Sequence, residues 1–597
     1  MTNMKRKLFL LSALFLAECT LVQGANYYVD SSKGDDANNG LSEASPWKTL
    51  AKINSSKFAT GDIILLRRGA TWREQLNFPS SGSPGAPIVI GSYGSGEIPV
   101  ISGADVVPPE SWSPCQPCGT NIWEAPVKAK ANVVIFDGTK GNRKSTSTEL
   151  SNPGDWFWDS GTLYIFSSEQ PSAAFRHPGI ESGVRPSGLN LTGISNVVVK
   201  DISVSGANAV PYGEGAGIFA ITVHLAGPTP EGLTLSHLIV SNGAGDGIHI
   251  ENASRCSVDA VLVHDNDGAG IEVYHSNGKF PIDSGSITNS EVHHNGFNGI
   301  FLVGCPRAER CRSVVYPDGL TITNFQITGN KVHDNGAGIY LHETNGSLIS
   351  GNVAYSNTNT TRKGEGYCVG ISGSSSNIVE KNDCYKARLA GIELSIDTGR
   401  PPFGSSDNII RYNVVHDDGT HGIFTNYDPS QHNQIVHNLI YNHPQGACIM
   451  ANFIRHEIEN NTCFNSRIGI HLYVSSTTRK TGSIIAKNNI IVNSSLHHIL
   501  IEKGVDGPFD FSGNDYFPDG PAAFNLRGTP LNFAGWRSSS GQDAQSILED
   551  PAFKAQVPGQ PLDFILRPNS PALGKGANLN GDFGANSTNS TVGQRQQ

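Results

Sequence analysis

The chain is poor in charge, and poorer in basic charge than in acidic. Only 16% of its 597 residues are Asp, Glu, Lys or Arg, and 53 acids against 43 bases give a formal net charge of −10. A nucleic-acid partner needs a basic surface that displaces counterions, so none is expected here. The same balance fits poorly with a fully anionic polymer. Long apolar runs are absent after the first residues: no later segment reaches the roughly 18 apolar residues needed to span a bilayer. An apolar spacing of 3.6 residues is missing from the middle of the chain, which excludes a helical architecture there. Cys115 and Cys118 have no second Cys-x-x-Cys and no nearby histidine to complete a metal site.

What is abundant is glycine followed by isoleucine. Such pairs stand at Gly217-Ile218, Gly247-Ile248, Gly270-Ile271, Gly299-Ile300, Gly338-Ile339, Gly370-Ile371, Gly391-Ile392, Gly422-Ile423 and Gly469-Ile470, with Gly446 midway across the last gap. The shortest intervals, 21 and 23 residues, mark a stacked repeat whose longer copies carry loops. After each pair comes an alternating run such as GIHIEN, GIYLHE or GIELSI, which predicts a strand with one buried face. Before it, Asn330, Asn352, Asn382, Asn413, Asn438 and Asn461 recur in one slot. Stacked coils would place these amides in a ladder at about 4.8 Å per step.

The resulting NxVxxNxxxGIxL pattern resembles the right-handed parallel β-helix of the pectin-lyase-like superfamily over about residues 190–505. The resemblance implies an all-β fold and leaves the reaction open, because that superfamily includes polysaccharide lyases, glycoside hydrolases, epimerases and non-enzymatic adhesins. Around the solenoid, residues 1–25 read as a secretory signal peptide: Lys5, Arg6 and Lys7 precede an apolar stretch from Leu8 to Ala17 and small residues near Gly24. The expected location is therefore secreted or periplasmic. Glu18 argues against a lipid anchor at Cys19. Residues 26–105 are expected to hold an N-terminal cap and the first coils, with Pro46 starting a short helix over PWKTLAKI. Residues 106–189 break the period and predict a small β insertion on the helix flank. Its Trp112, Trp123, Trp156 and Trp158 fit a local core better than sugar platforms. Residues 506–597 are expected to form a C-terminal cap and a polar tail. Among the cysteines, Cys115–Cys118 and Cys305–Cys311 are candidate loop disulfides, whereas Cys384 and Cys463 read as buried packing residues.

If the isoleucine of each pair points inward, the next residue and the third point out. One outward stripe is then His249, Glu272, Phe301, Tyr340, Ser372, Glu393, Phe424, Cys448 and His471; the other is Glu251, Tyr274, Val303, His342, Ser374, Ser395, Asn426, Met450 and Tyr473. Aromatics and carboxylates in rows have the composition of a carbohydrate groove, and neither stripe contains Lys or Arg. Extra residues at about 304–320, 357–367 and 397–407 border its centre. The expected function is degradation of a polysaccharide by glycoside hydrolysis, in a protein expected to be monomeric. Glu393 with Asp397 or Glu365 would be the acid–base pair, His342 and Glu272 polar groove residues, and Tyr274, Tyr340, Phe424 and Tyr427 sugar contacts. Glu251 and Glu272, as diagonal neighbours roughly 7–8 Å apart, have the separation of an inverting pair. A second reading is a uronate polysaccharide lyase or epimerase of the pectate or alginate type. There Lys386 and Arg388 would neutralise the substrate carboxylate, with Tyr340, His342 or Tyr274 as base and Ca²⁺ as cofactor. Asp246, Asp267 and Glu272 are the acids nearest to a calcium set, although their spacing specifies no metal site. A third is a non-catalytic surface protein that only binds glycan. The slot holding His264, His293, His333, Tyr355, Tyr385, His416, Tyr441 and Phe464 takes histidine and other aromatics alike, which predicts a stacking ladder rather than a metal row.

Overall fold

Alternation of apolar and polar residues gives each strand one face to bury, and winding the chain buries that face of every coil. One coil runs Cys256–Asp259, Leu262–His264 and Ile271–Tyr274; the next runs Ile282–Thr288, Glu291–His293 and Asn298–Val303. The two pair in parallel, Val258 on Ile287, Val263 on Val292 and Ile271 on Ile300, and these six side chains are buried. The computed structural model describes residues 24–209, 216–221, 231–275, 282–304, 322–358, 366–395, 404–426, 430–452, 455–474 and 482–573. Through them the chain forms a parallel β-helix with three columns of strands. The first column adds strands in chain order from Asn26–Val29 to Phe509–Ser512. The recurring glycine is steric in origin: a Cβ on Gly270 would collide with Val292 Cγ1 of the next coil.

The asparagine ladder forms as expected and extends two coils further. From Asn330 through Asn352, Asn382, Asn413, Asn438, Asn461 and Asn489 to Asn514, each Nδ2 donates to the next Oδ1 at 2.9–3.1 Å. The aromatic slot also stacks, with His264, His293, His333, Tyr355, Tyr385, His416 and Tyr441 at centroid steps of 4.7–5.2 Å.

Both ends of the helix are plugged. At the first coils the helix Leu50–Asn54 buries Leu50 and Ile53, and its N-cap is Thr49 rather than Pro46, because the Thr49 side chain accepts the Lys52 N–H. At the far end Phe533–Ser540 buries Phe533 and Trp536, starts at the Asn532 cap and stops at Gly541 in the left-handed region. The Trp536 Nε1–H donates to Asp543 at 2.7 Å. Between Ser113 and Phe166 lies a five-stranded sheet outside the coils. Trp112 and Trp156 are buried in its core, with Trp123 and Trp158 packed against it. Its neighbouring sheet is tied to the coils by Lys140, whose Nζ donates to Asp265 O at 2.7 Å and Asp267 Oδ1 at 2.9 Å. Cys115 and Cys118 are bonded. Cys463 is not a free packing residue but is bonded to Cys448, since the parallel coils bring these inward side chains together; Cys384 is free and buried. Cys305 and Cys311 lie outside the described residues.

The C-terminal end carries a pH-dependent element. Asp515 is fully buried; its Oδ1 accepts the Glu549 N–H at 3.2 Å, and its Oδ2 has no hydrogen-bond partner among the described residues. Burial pushes its pKa up to about 7. The folded chain therefore keeps this proton after the unfolded chain has lost it, near pH 4. Stability from this group is complete below about pH 4 and is lost as pH rises towards 7. Asp515→Asn is expected to remove that dependence and to be more stable above pH 7 by up to about 4 kcal/mol. Parallel thermal melts of both proteins from pH 4.5 to 8 check it, and matching slopes would count against the assignment.

Candidate active site

The third column presents one outward row next to the core, and its register departs from the sequence expectation at two coils. His249 pairs with Glu272, Glu272 with Phe301, and Phe301 with Tyr340. Tyr340 then pairs with Gly370, not Ser372, because Val369 takes the slot of Ile339. Gly370 pairs with Glu393, Glu393 with Phe424, and Phe424 with Met450 rather than Cys448. Cys448 points inward; a register irregularity between His443 and Ala447 moves this coil by two residues. In the second row His342 is followed by Ser372 and Ser395, so Ser374 drops out of it. Asn452 and not Met450 pairs with Tyr473.

These shifts make Glu393 the centre of a lane. Its neighbours Ile392 and Leu394 are core residues, so the Glu393 side chain leaves the outer face, yet it is only 3% exposed. Asn426 Nδ2 donates to Glu393 Oε1 at 3.1 Å. The Tyr473 hydroxyl proton is directed to Thr425 O at 3.1 Å and Asn426 Oδ1 at 3.2 Å, which fixes the amide with its NH₂ towards the carboxylate. On one side of Glu393, Gly370 leaves a notch in which the Tyr340 ring lies; a Cβ there would strike that ring. Phe301 packs on Tyr340 with centroids 5.6 Å apart. On the other side Phe424 meets Tyr473 at 6.0 Å and His421 at 5.1 Å. Burial, with His471 and His443 nearby, pushes the His421 pKa down to about 4. Its neutral Nδ1 accepts the Ala447 N–H at 2.9 Å.

The remaining sequence candidates divide. His342 lies in the second row beside Val303 and Ser372, and Tyr274 lies beside Glu251 and Val303. Lys386 and Arg388 are exposed and belong to neither row: Lys386 sits in a left-handed turn, and the Arg388 side chain lies against Gly366. Asp397, Glu365 and Tyr427 lie outside the described residues. Asn426 and Tyr473, both in the expected second stripe, form the setting of Glu393 together with His421 and Gly370, to which the sequence assigns no role. Correct strand register is the signal that places Gly370 beneath Tyr340.

Glu272 belongs to a separate cluster four rungs away. Asp246 Oδ2 is 3.1 Å and Glu272 Oε2 2.8 Å from His249 Nδ1, while Glu251 Oε2 is 3.4 Å from Nε2. The expected inverting pair of Glu251 and Glu272 is thus filled by an imidazole where such a pair would hold water. Asp267 bonds to Lys140 and takes no part. Burial and then the Asp246 charge push Glu272 up to about 7. Asp246 is held low against its own burial by His249. His249 stands well above the ordinary imidazole range: burial opposes its charge, but hydrogen bonds to Asp246, Glu251 and Glu272 outweigh that effect.

Residues 246–462 match the family described as the right handed beta helix region. Over 570 residues the chain is 25% identical to the uncharacterized protein YwoF of Bacillus subtilis (strain 168), covering 92% of each. A stretch of 82 residues is 42% identical to a lacto-N-biosidase of Bifidobacterium longum subsp. longum; it amounts to 13% of this chain and only 5% of that relative's length. The solved structure of XylC in complex with xylose superposes with a TM-score of 0.51 at 15% identity, over 88% of this chain and 87% of XylC. At that identity the likeness concerns the fold alone. Three parallel strand columns, the asparagine ladder and these matches agree on one fold. The chain folds as a right-handed parallel β-helix, and its residues 246–462 match the family of that description.

Proposed function

We propose that the protein is an exported carbohydrate-active enzyme, a glycoside hydrolase that cleaves a polysaccharide along the outer row, with Glu393 as one of its two carboxylates. The observation that carries this reading is Glu393 itself: an acid 3% exposed, set between Tyr340 and Phe424 and oriented by Asn426. Aromatic rings cover the apolar faces of sugars, and a fixed carboxylate among them acts on the glycosidic bond. The Asn426 N–H fixes the orientation of the Glu393 carboxyl towards the row, as either role in a carboxylate pair requires. The second carboxylate of the pair would be Asp397 or Glu365, the two acids that the sequence places beside it. The local likeness to a lacto-N-biosidase supports a glycosidase. Neither row carries Lys or Arg among the described residues, which supports hydrolysis over elimination, since a lyase must neutralise a uronate carboxylate. The signal-peptide pattern read in residues 1–25 is the basis for proposing export.

Incubation with a panel of neutral and uronate polysaccharides is expected to release reducing ends without the absorbance of an unsaturated uronate. Unsaturated product would overturn hydrolysis in favour of a lyase, and no product with retained glycan binding would leave a binding protein. Gly370→Ala is expected to displace the Tyr340 ring and raise KM by about three- to tenfold, the equivalent of about 1 kcal/mol of aromatic contact. The melting temperature should hardly change, and an unchanged KM would remove Tyr340 from the substrate path.

A further inference from the structure

Further towards the amino-terminal end of the same row, roughly 19 Å from Glu393 at about 4.8 Å per rung, three ligating atoms converge. Asp246, His249 and Glu272 each offer one ligand atom within 4.8 Å of the others, and Asp246 Oδ2 and Glu272 Oε2 stand 3.1 and 2.8 Å from His249 Nδ1. Two donors each about 2.1 Å from a zinc ion are roughly 3.0–3.4 Å apart, whether the angle between them is octahedral or tetrahedral. The cluster already has edges close to that length. Without an ion, a proton held between Asp246 and Glu272 would have to relieve their repulsion. Nδ1 carries at most one hydrogen, yet two carboxylate oxygens face that one nitrogen. A dication between the three atoms satisfies all of them and cancels the two negative charges.

The outer contacts are those of a metal-bound histidine. Glu251 Oε2 faces Nε2 at 3.4 Å, and a carboxylate in that place holds the ring with Nδ1 turned to the ion. The Ala269 N–H engages Asp246 Oδ1 at 2.7 Å and leaves Oδ2 for coordination. Gly268 gives Asp246 its seat, because a Cβ there would strike Oδ1. The side chains are 12–15% exposed, so the cluster is set into the wall and still reached from outside. We infer that Asp246, His249 and Glu272 form a binding site for a first-row divalent transition-metal ion, with Glu251 as the positioning residue for His249. An imidazole among the ligands disfavours Ca²⁺, which takes oxygen donors. The site lies apart from Glu393 and does not rest on the hydrolase reading.

Full-length protein stripped with chelator and dialysed is titrated calorimetrically with Zn²⁺ and, separately, with Ca²⁺. The expected result is one Zn²⁺ per chain, with Ca²⁺ far weaker. His249→Gln and Glu272→Gln should each weaken Zn²⁺ by about a hundredfold or more, and Glu251→Gln by about ten- to hundredfold. The melting of zinc-free variants shows that they fold. Should they fail to fold, the Co²⁺-loaded wild-type protein provides the readout: a visible spectrum distinct from the aqueous ion supports nitrogen ligation. Absence of stoichiometric Zn²⁺ uptake, uptake unchanged in folded His249→Gln, Ca²⁺ bound as tightly as Zn²⁺, or an aqueous-type Co²⁺ spectrum each overturns the site.

Discussion

Glu393→Gln is expected to lower kcat on the cleaved polysaccharide by about 10³-fold, within the range that acid–base groups contribute, while leaving folding and KM nearly unchanged. The substitution keeps shape and volume but removes the charge on which either a nucleophile or a general base depends. Glutamine also keeps a carbonyl oxygen for the Asn426 Nδ2–H, now 3.1 Å from Glu393 Oε1, so the surrounding network can stay in place. Kinetics on the substrate found by the panel, with circular dichroism of both proteins, checks it. Asn426→Ala separates orientation from charge: it should reduce kcat less than Glu393→Gln, because the carboxylate stays in place but loses the donor that orients it. Full activity of folded Glu393→Gln would remove this residue from the chemistry.

Asn413→Ala is expected to destabilise the central coils by on the order of 4 kcal/mol. Asn413 is fully buried and uses all four of its hydrogen-bonding positions. Its Oδ1 accepts both the Asn382 backbone N–H and Nδ2 at 3.0 Å. Its Nδ2 donates to Asn438 Oδ1 at 3.0 Å and Val379 O at 2.9 Å. Truncation therefore strands donors on one neighbouring coil and acceptors on both, each in a setting that excludes solvent. Solenoid stability is a sum of neighbour terms, so the loss should be local. Hydrogen exchange is expected to accelerate first in Ile378–Glu380 and Gln434–Val436, the strands flanking this rung, alongside a lower denaturation midpoint. A change below about 1 kcal/mol would show that solvent replaces the ladder bonds.

The sequence by itself determined the winding. Gly-Ile pairs at corners too tight for a Cβ, alternating strands and one asparagine per coil suffice for a parallel β-helix, because each is a local requirement repeated at every turn. It also placed Glu393 on the outer face, since one-residue alternation decides the side of a strand. What it left open was register. A slip of two residues keeps every side chain on its own face, and Val369 and Ile371 are both fully buried, so the pattern in CVGIS admits either alignment. Only the tertiary structure selected Val369, put Gly370 beneath Tyr340 and brought Asn426 to Glu393. Asp246 and Glu272 are legible as neighbouring acids, but the His249 ring between them depends on how the next coil is laid against its own. Periodicity fixes direction within one coil; contacts between coils depend on how far each one slides, and packing across the stack decides that.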